Sequence, residues 1–197
     1  MDTKTAMDFH GVRLLTAPGR VMTPRPATEA LVDRALELVG DGPVQVADVG
    51  TGSGAIAVSL ALLAPHATVW ATDLSPAAVE LARANVERLG LQDRVQILEG
   101  DLLEPAPEGL DLVVANLPYL PAREAAAHPD LDSEPFASVF AAGDGLGPLS
   151  RLFEQAHDRL HPGGSVVYQY RGEVFEARRD ELPLLQSPAW REVAARS

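Results

Sequence analysis

The stretch Val44-Gln-Val-Ala-Asp-Val-Gly-Thr-Gly-Ser-Gly54 decides the fold. It begins with alternating β-branched residues and ends in glycines at every second position, Gly50, Gly52 and Gly54. A helix-grade apolar run, Ala55–Leu63, follows at once. Strand, glycine turn and helix form the first unit of a nucleotide-binding α/β sheet. The glycines allow tight backbone angles and let the main chain approach a ligand with no Cβ in the way. The helix then opens with unpaired N–H groups aimed at that ligand.

Working outward, the strand–helix unit repeats. Strands are predicted at Val44–Val49, Thr68–Thr72, Val95–Glu99, Asp111–Ala115 and Ser165–Tyr170, with helices at Gly54–Leu63, Ser75–Leu89 and Pro148–Leu160. Ser75-Pro76 supplies a cap and a first-turn proline, and Gly90 a stop. Upstream, Phe9–Val21 reads as a hairpin turning at Ala17-Pro18-Gly19, and a helix capped by Thr28, or by the segment just before it, runs to about Val39. Downstream, a helix near Val174–Leu185 and a short strand near Trp190–Ala195 are expected, leaving a shortened sheet edge. Residues 1–8 are expected to be disordered and 9–197 to form one domain. The fold class is α/β: a Rossmann-like, mostly parallel sheet with helices on both faces. Residues 120–147 are long for a structureless loop, which marks them as functional or as carrying short helices.

Composition narrows the function. A net charge of −12 counts against a nucleic-acid partner, because phosphate contacts need clustered Lys and Arg. With no cysteine, disulfides and thiolate metal sites are excluded, and the five histidines show no ligand spacing, so no metal is expected. No apolar run approaches the roughly 20 residues of a membrane span, and the N-terminus lacks a signal-peptide pattern, so the expected home is the cytoplasm.

The polar residues of interest fall at the carboxyl ends of the strands, where such sheets bind ligands. Asp73 lies 23 residues after Gly50, positioned to accept hydrogen bonds from both ribose hydroxyls of an adenosine. NAD and S-adenosylmethionine both meet that condition. The Gly-x-Gly-x-Gly spacing departs from the dinucleotide pattern, and an anionic Asp48 opposes a diphosphate while suiting a ligand with an ammonium and a sulfonium. This favours S-adenosylmethionine, with a seat of Asp48, Gly50, Thr51, Gly52, Gly54, Asp73, Leu74, Asp101, Leu102 and Asn116.

Asn116-Leu117-Pro118-Tyr119 follows the buried strand Leu-Val-Val-Ala. These four are the candidate catalytic residues. An amide or aryl-amine nitrogen is a weak nucleophile because its lone pair is delocalised. Two acceptors on its N–H groups, the Asn116 side-chain oxygen and the Leu117 carbonyl, would orient the lone pair and stabilise charge developing on nitrogen. Pro118 stiffens the turn, and Tyr119 offers a flat face to a planar group.

Asp48–Gly54, Asp73, Gly100-Asp101 and Asn116–Tyr119 together resemble the class I, S-adenosylmethionine-dependent amino-methyltransferases. Thr23-Pro-Arg-Pro-Ala-Thr-Glu29, Glu134-Pro135 and Phe140-Ala-Ala-Gly-Asp-Gly-Leu146 resemble segments of the HemK/PrmC protein-(glutamine-N5) methyltransferases. The resemblance covers roughly residues 9–170. It implies a protein substrate, the glutamine of a Gly-Gly-Gln loop in a peptide-chain release factor. Asn116 and the Leu117 carbonyl would grip the amide, Tyr119 would pack on it, and Arg25, Pro26 and Glu29 would border the substrate mouth. Leu117 stands where that family usually has proline, and Asn-Leu-Pro-Tyr also occurs in rRNA adenine dimethylases. An adenine-N6 or other nucleic-acid amine is therefore the rival acceptor. The family's N-terminal helical docking domain is absent from these residues. That leaves an inactive cofactor-binding homologue as a further reading, and a partner subunit or homodimer as an expected means of completing the surface.

Overall fold

The computed structural model describes residues 5–186. Its centre is a six-stranded sheet. In chain order the elements are β1 (Thr5–Phe9), β2 (Val12–Thr16), α1 (Glu29–Leu38), β3 (Val44–Val49), α2 (Ala55–Leu63), β4 (Ala67–Asp73), α3 (Pro76–Arg88), β5 (Val95–Glu99) and β6 (Leu110–Ala115). They continue with β7 (Leu120–Pro121), α4 (Phe136–Val139), β8 (Phe140–Ala141), α5 (Gly147–Arg159), β9 (Leu160–Tyr170) and β10 (Glu173–Arg178). The sheet order is β10-β9-β6-β3-β4-β5, and only β10 runs antiparallel to its neighbour.

The chain moves from β3 out to β5, then returns to the other side of β3 for β6 and β9. Parallel crossovers are right-handed, so reversing direction moves the connecting helix to the opposite face. Accordingly α1, α2 and α3 cover one face and α5 the other. Side chains alternate along β3 to match: Val46 joins the core beneath α1 and α2, while Ala47 and Val49 join the core beneath α5. In α5, Leu149, Leu152, Phe153 and Ala156 are fully buried at helical spacing. Each such Leu or Phe contributes about 1.5–3 kcal/mol through burial. The register pairs Val49 with Ala115, so the glycine turn after β3 and Asn116 after β6 emerge side by side at the switch point.

Three expectations need correcting. The N-terminal hairpin is β1–β2, so residues 5–8 are strand, and its turn is His10-Gly11 rather than Ala17–Gly19. The segment expected to be a helix from Val174 begins as strand β10, hydrogen-bonded to β9 through the turn Arg171-Gly172. Both turns place two successive residues at positive φ, His10 at 48° and Gly11 at 74°, then Arg171 at 48° and Gly172 at 85°. That is the twist a two-residue hairpin requires. The strand expected near Trp190–Ala195 lies outside the described residues. Residues 120–147 do carry short helices, at Ala122–Ala127, Pro129–Leu131 and α4, and a two-strand parallel pair, β7 with β8. Among the described residues no helix is long and apolar enough to cross a membrane, and no group of three His, Asp or Glu is placed to hold a metal ion.

Candidate active site

The turn after β3 is held by its neighbour strand. Gly50 N–H and Thr51 N–H both donate to the Thr72 carbonyl, at 2.9 and 3.0 Å. Gly50 has φ +73°, and a Cβ there would lie 2.8 Å from Leu117 Cδ2. Only glycine lets the first turn press against the Asn-Leu-Pro-Tyr segment. Asp73 organises the floor: Oδ2 accepts from Gly52 N–H and Oδ1 from Ser75 N–H, each at 2.9 Å. Burial pushes its carboxyl upward from the ordinary range, against the pull of those hydrogen bonds. Ser75 caps α3 as expected, accepting from Ala78 N–H.

Asp48 has a different place from the one its sequence position indicated. Its side chain is fully buried beneath the turn. Oδ2 accepts from the Thr51 hydroxyl at 2.6 Å and from Ala57 N–H at 3.0 Å, tying turn to helix. Oδ1 has no partner, and burial raises the carboxyl to about 7. Asp48 lines neither of the two cavities beside the turn, and nor does Gly54, which stands at the start of α2.

Two cavities meet at Asn116. The first encloses about 520 Å³ and is lined by Gly50, Thr51, Gly52, Asp73, Leu74, Asp101, Leu102 and Asn116–Pro118. These are the other predicted cofactor residues, brought together. Leu74 is 71% exposed at its rim, an apolar surface without a partner side chain. Leu102 takes φ +50°, a left-handed conformation that a non-glycine residue rarely adopts and that the wall must hold in place. Asp101 forms an ion pair with Arg151. The second cavity, about 460 Å³, is lined by Arg25, Thr28, Asn116–Leu120, Gln169 and Arg171 among others. Met22, Arg25, Thr28, Asn116, Leu117, Pro118 and Ser138 border both.

Tyr119 faces the second cavity alone, with its ring edge-on to Tyr170 at 5.4 Å. Burial raises its hydroxyl above the ordinary value. Arg171 stands 5.8 Å over the Tyr170 ring. Of the predicted substrate residues Arg25 borders the cavities, whereas Pro26 and Glu29 do not. Glu29 is occupied elsewhere, accepting from His10 N–H at 2.9 Å.

The segment between Tyr119 and α5 folds over this region. Glu134 accepts from Thr23 N–H at 3.0 Å and lies 3.9 Å from Arg25, which ties the segment to the Pro-Arg-Pro stretch. Gly145, at φ +89°, sits so close that a Cβ would lie 2.1 Å from the Tyr119 carbonyl oxygen. Asp144 serves this turn, its Oδ1 accepting from Leu146 N–H at 3.0 Å.

Two polar residues of the site escaped the sequence reading. Thr28, one of the two caps expected for α1, makes no side-chain capping bond. Its hydroxyl instead lies between Asn116 and Gln169. Gln169, in β9, is 3% exposed. Its only sequence signal is a lone amide inside a buried apolar strand, where a polar side chain needs a partner.

A family model described as the methyltransferase small domain matches residues 26–130. The chain is 46% identical over 181 residues to a release factor glutamine methyltransferase of Bordetella pertussis, covering 89% of this chain and 65% of that protein. It is 43% identical over 153 residues to one from Gloeobacter violaceus, covering 76% and 54%. The chain thus spans between 54% and 65% of the length of these two relatives. Among solved structures, ribosomal protein L11 methylase from Lactobacillus delbrueckii subsp. bulgaricus superposes with a TM-score of 0.55 at 25% identity, over 75% of this chain and 62% of that one. P. horikoshii TYW2 in complex with MeSAdo shares the fold at 16% identity and a TM-score of 0.60, over 85% and 52%. With a six-stranded, mostly parallel sheet and a glycine turn and Asn-Leu-Pro-Tyr segment meeting at its switch point, the chain belongs to the methyltransferase small domain family, on a Rossmann-like class I fold.

Proposed function

We propose that this chain is an S-adenosylmethionine-dependent N-methyltransferase whose acceptor is the side-chain amide of a protein glutamine, in the Gly-Gly-Gln setting of a release factor. The observation that carries the reading is the junction of two cavities at Asn116. One has the glycine turn and acids of a nucleoside seat, and the other is a polar-rimmed slot beside Tyr119. The similarity to release factor glutamine methyltransferases supports the acceptor class.

The first cavity fits the cofactor. Its volume lies in the range of small-molecule sites. Each Asp73 oxygen holds one backbone N–H and keeps lone pairs for ribose hydroxyls. Leu74 and Leu102 offer apolar surface for a flat base. When bound, the cofactor would supply a methyl group on a sulfonium: the amide nitrogen's electron pair would form the new C–N bond, the C–S pair would stay with sulfur, and one N–H proton would pass to water. The chain's own part is positioning and electrostatics. Asn116 Oδ1 and the Leu117 carbonyl accept from the two amide N–H bonds, turning the lone pair toward the first cavity. Tyr119 packs on the flat amide, and Arg25 with Glu134 holds the mouth. Asp48 acts from beneath, fixing the turn rather than touching the ligand. A release-factor substrate places the reaction in the cytoplasm and makes the partner a protein.

The test is methyl transfer from labelled cofactor to three peptides differing only at the acceptor: Gly-Gly-Gln, Gly-Gly-Asn and Gly-Gly-Glu. Transfer to the glutamine peptide alone is expected. Cofactor binding without transfer to any, or transfer to RNA instead, would remove the reading.

A further inference from the structure

A single backbone carbonyl sets the polarity of the Asn116 side chain. Gln169 Nε2 lies 2.9 Å from the Ala27 carbonyl oxygen. A carbonyl can only accept, so the Gln169 NH₂ must face it and Oε1 must face the other way. Oε1 lies 3.2 Å from Thr28 Oγ1 and has no proton to give, so the Thr28 hydroxyl donates to it. With its one proton spent, Thr28 Oγ1 can only accept from Asn116, 3.0 Å away, and the group facing it must be the NH₂. Asn116 lines the two cavities, and its Oδ1 is left with no donor among the described residues. Gln169 and Thr28 are 3% and 7% exposed, and the bond between them is buried, which limits competition from water there.

We propose that Thr28 and Gln169 are positioning residues: a buried relay from the Ala27 carbonyl that locks the Asn116 carboxamide with its oxygen toward the acceptor. Without the relay the carboxamide can turn over, presenting NH₂ to an acceptor nitrogen that needs a hydrogen-bond acceptor. The relay explains why a threonine at a helix start leaves its capping role and why an amide sits inside an apolar strand. This inference rests on the proposed amide chemistry, but its first readout does not.

That readout is hydrogen exchange of the Asn116 Nδ2 protons, followed by NMR in the full chain. Slow exchange in the wild type and fast exchange in Thr28→Val are expected; exposed-like exchange in the wild type would overturn the relay. The second readout is kinetic. Thr28→Val keeps the shape without the hydroxyl and should lower kcat about 10–100-fold, with cofactor Kd within about twofold, and Thr28→Ser should recover most of it. Gln169→Met should match Thr28→Val, and the double variant should be no worse than either single one, because both cut one relay. Wild-type kcat in Thr28→Val, no rescue by serine, or additive losses would each overturn the proposal. A wild-type chain with slow exchange but no transfer to any amide would leave the relay standing and sink the functional reading.

Discussion

The two halves of the candidate site are built in opposite ways. The glycine-turn half is local: Asp48, Thr51 and Ala57 bind one another within ten residues, and Gly52, Asp73 and Ser75 close the floor from the next strand. The Asn116 half is assembled from afar. Thr23 meets Glu134 across 111 residues, Asn116 meets Thr28 across 88, and Thr28 meets Gln169 across 141. A seat made of local turns can be carried from fold to fold with its ligand. A slot made of long-range contacts changes with each insertion, which is where acceptor choice resides.

If the halves are separable in this way, variants should split cofactor affinity from turnover. The largest effect is expected from Asn116→Ala, which removes a preorganised acceptor: turnover should fall by about 10²–10³ while cofactor Kd, measured by calorimetry, stays within about twofold. Normal turnover would remove Asn116 from the chemistry. Asp73→Ala strikes the other half. It removes the acceptor for two backbone N–H groups and the proposed ribose partner, so cofactor Kd should rise about 10–100-fold. An unchanged Kd would break the assignment of the floor. Gly145→Ala sharpens the comparison further, because the added Cβ cannot coexist with the Tyr119 carbonyl. It should lower kcat/KM for the peptide about tenfold through displacement of Tyr119, with cofactor Kd unmoved.

The smallest effect concerns pH and the cofactor half alone. Burial raises Asp48 to about 7 in the folded chain, above its unfolded value near 3.8. The folded state therefore holds the proton more tightly than the unfolded one. Stability from this group is complete below about pH 4 and is lost as pH rises through about 7. Asp48→Asn should flatten that part of the Tm profile in the ligand-free chain; an unaltered slope would show that Asp48 does not titrate there.

How much was legible follows the same division. Alternating β-branched runs gave away β3, β4, β5 and β6, and Ser75-Pro76 marked α3, because in each case the signal and the structure it makes are neighbours in the chain. The first hairpin is expected with its turn at Ala17–Gly19 and the second is expected as a helix, both for one reason. Their turns are His10-Gly11 and Arg171-Gly172, and the left-handed conformations of His10 and Arg171 are carried by pairing of the flanking strands rather than by the Asn-Gly or Asp-Gly signature. Glu173–Arg178 has the composition of a helix, and the sheet edge overrides it. At the site, the glycines, Asp73 and Asn116 declared themselves by local pattern. Thr28 and Gln169 did not, since their meaning lies in a contact 141 residues long. Asp48 was placed at the ligand because its position on the strand end was legible but the direction of its side chain was not.

The central claim is that the Asn116 slot takes a glutamine amide and the glycine seat supplies its methyl. The most direct measurement is to incubate the full chain with methyl-labelled S-adenosylmethionine and a release factor carrying Gly-Gly-Gln, then to locate the label by tandem mass spectrometry. One methyl is expected, on the side-chain nitrogen of that glutamine, with the rate of labelling lowered about 10²–10³-fold in Asn116→Ala. Label on any other residue, or on RNA added to the same reaction, would contradict it.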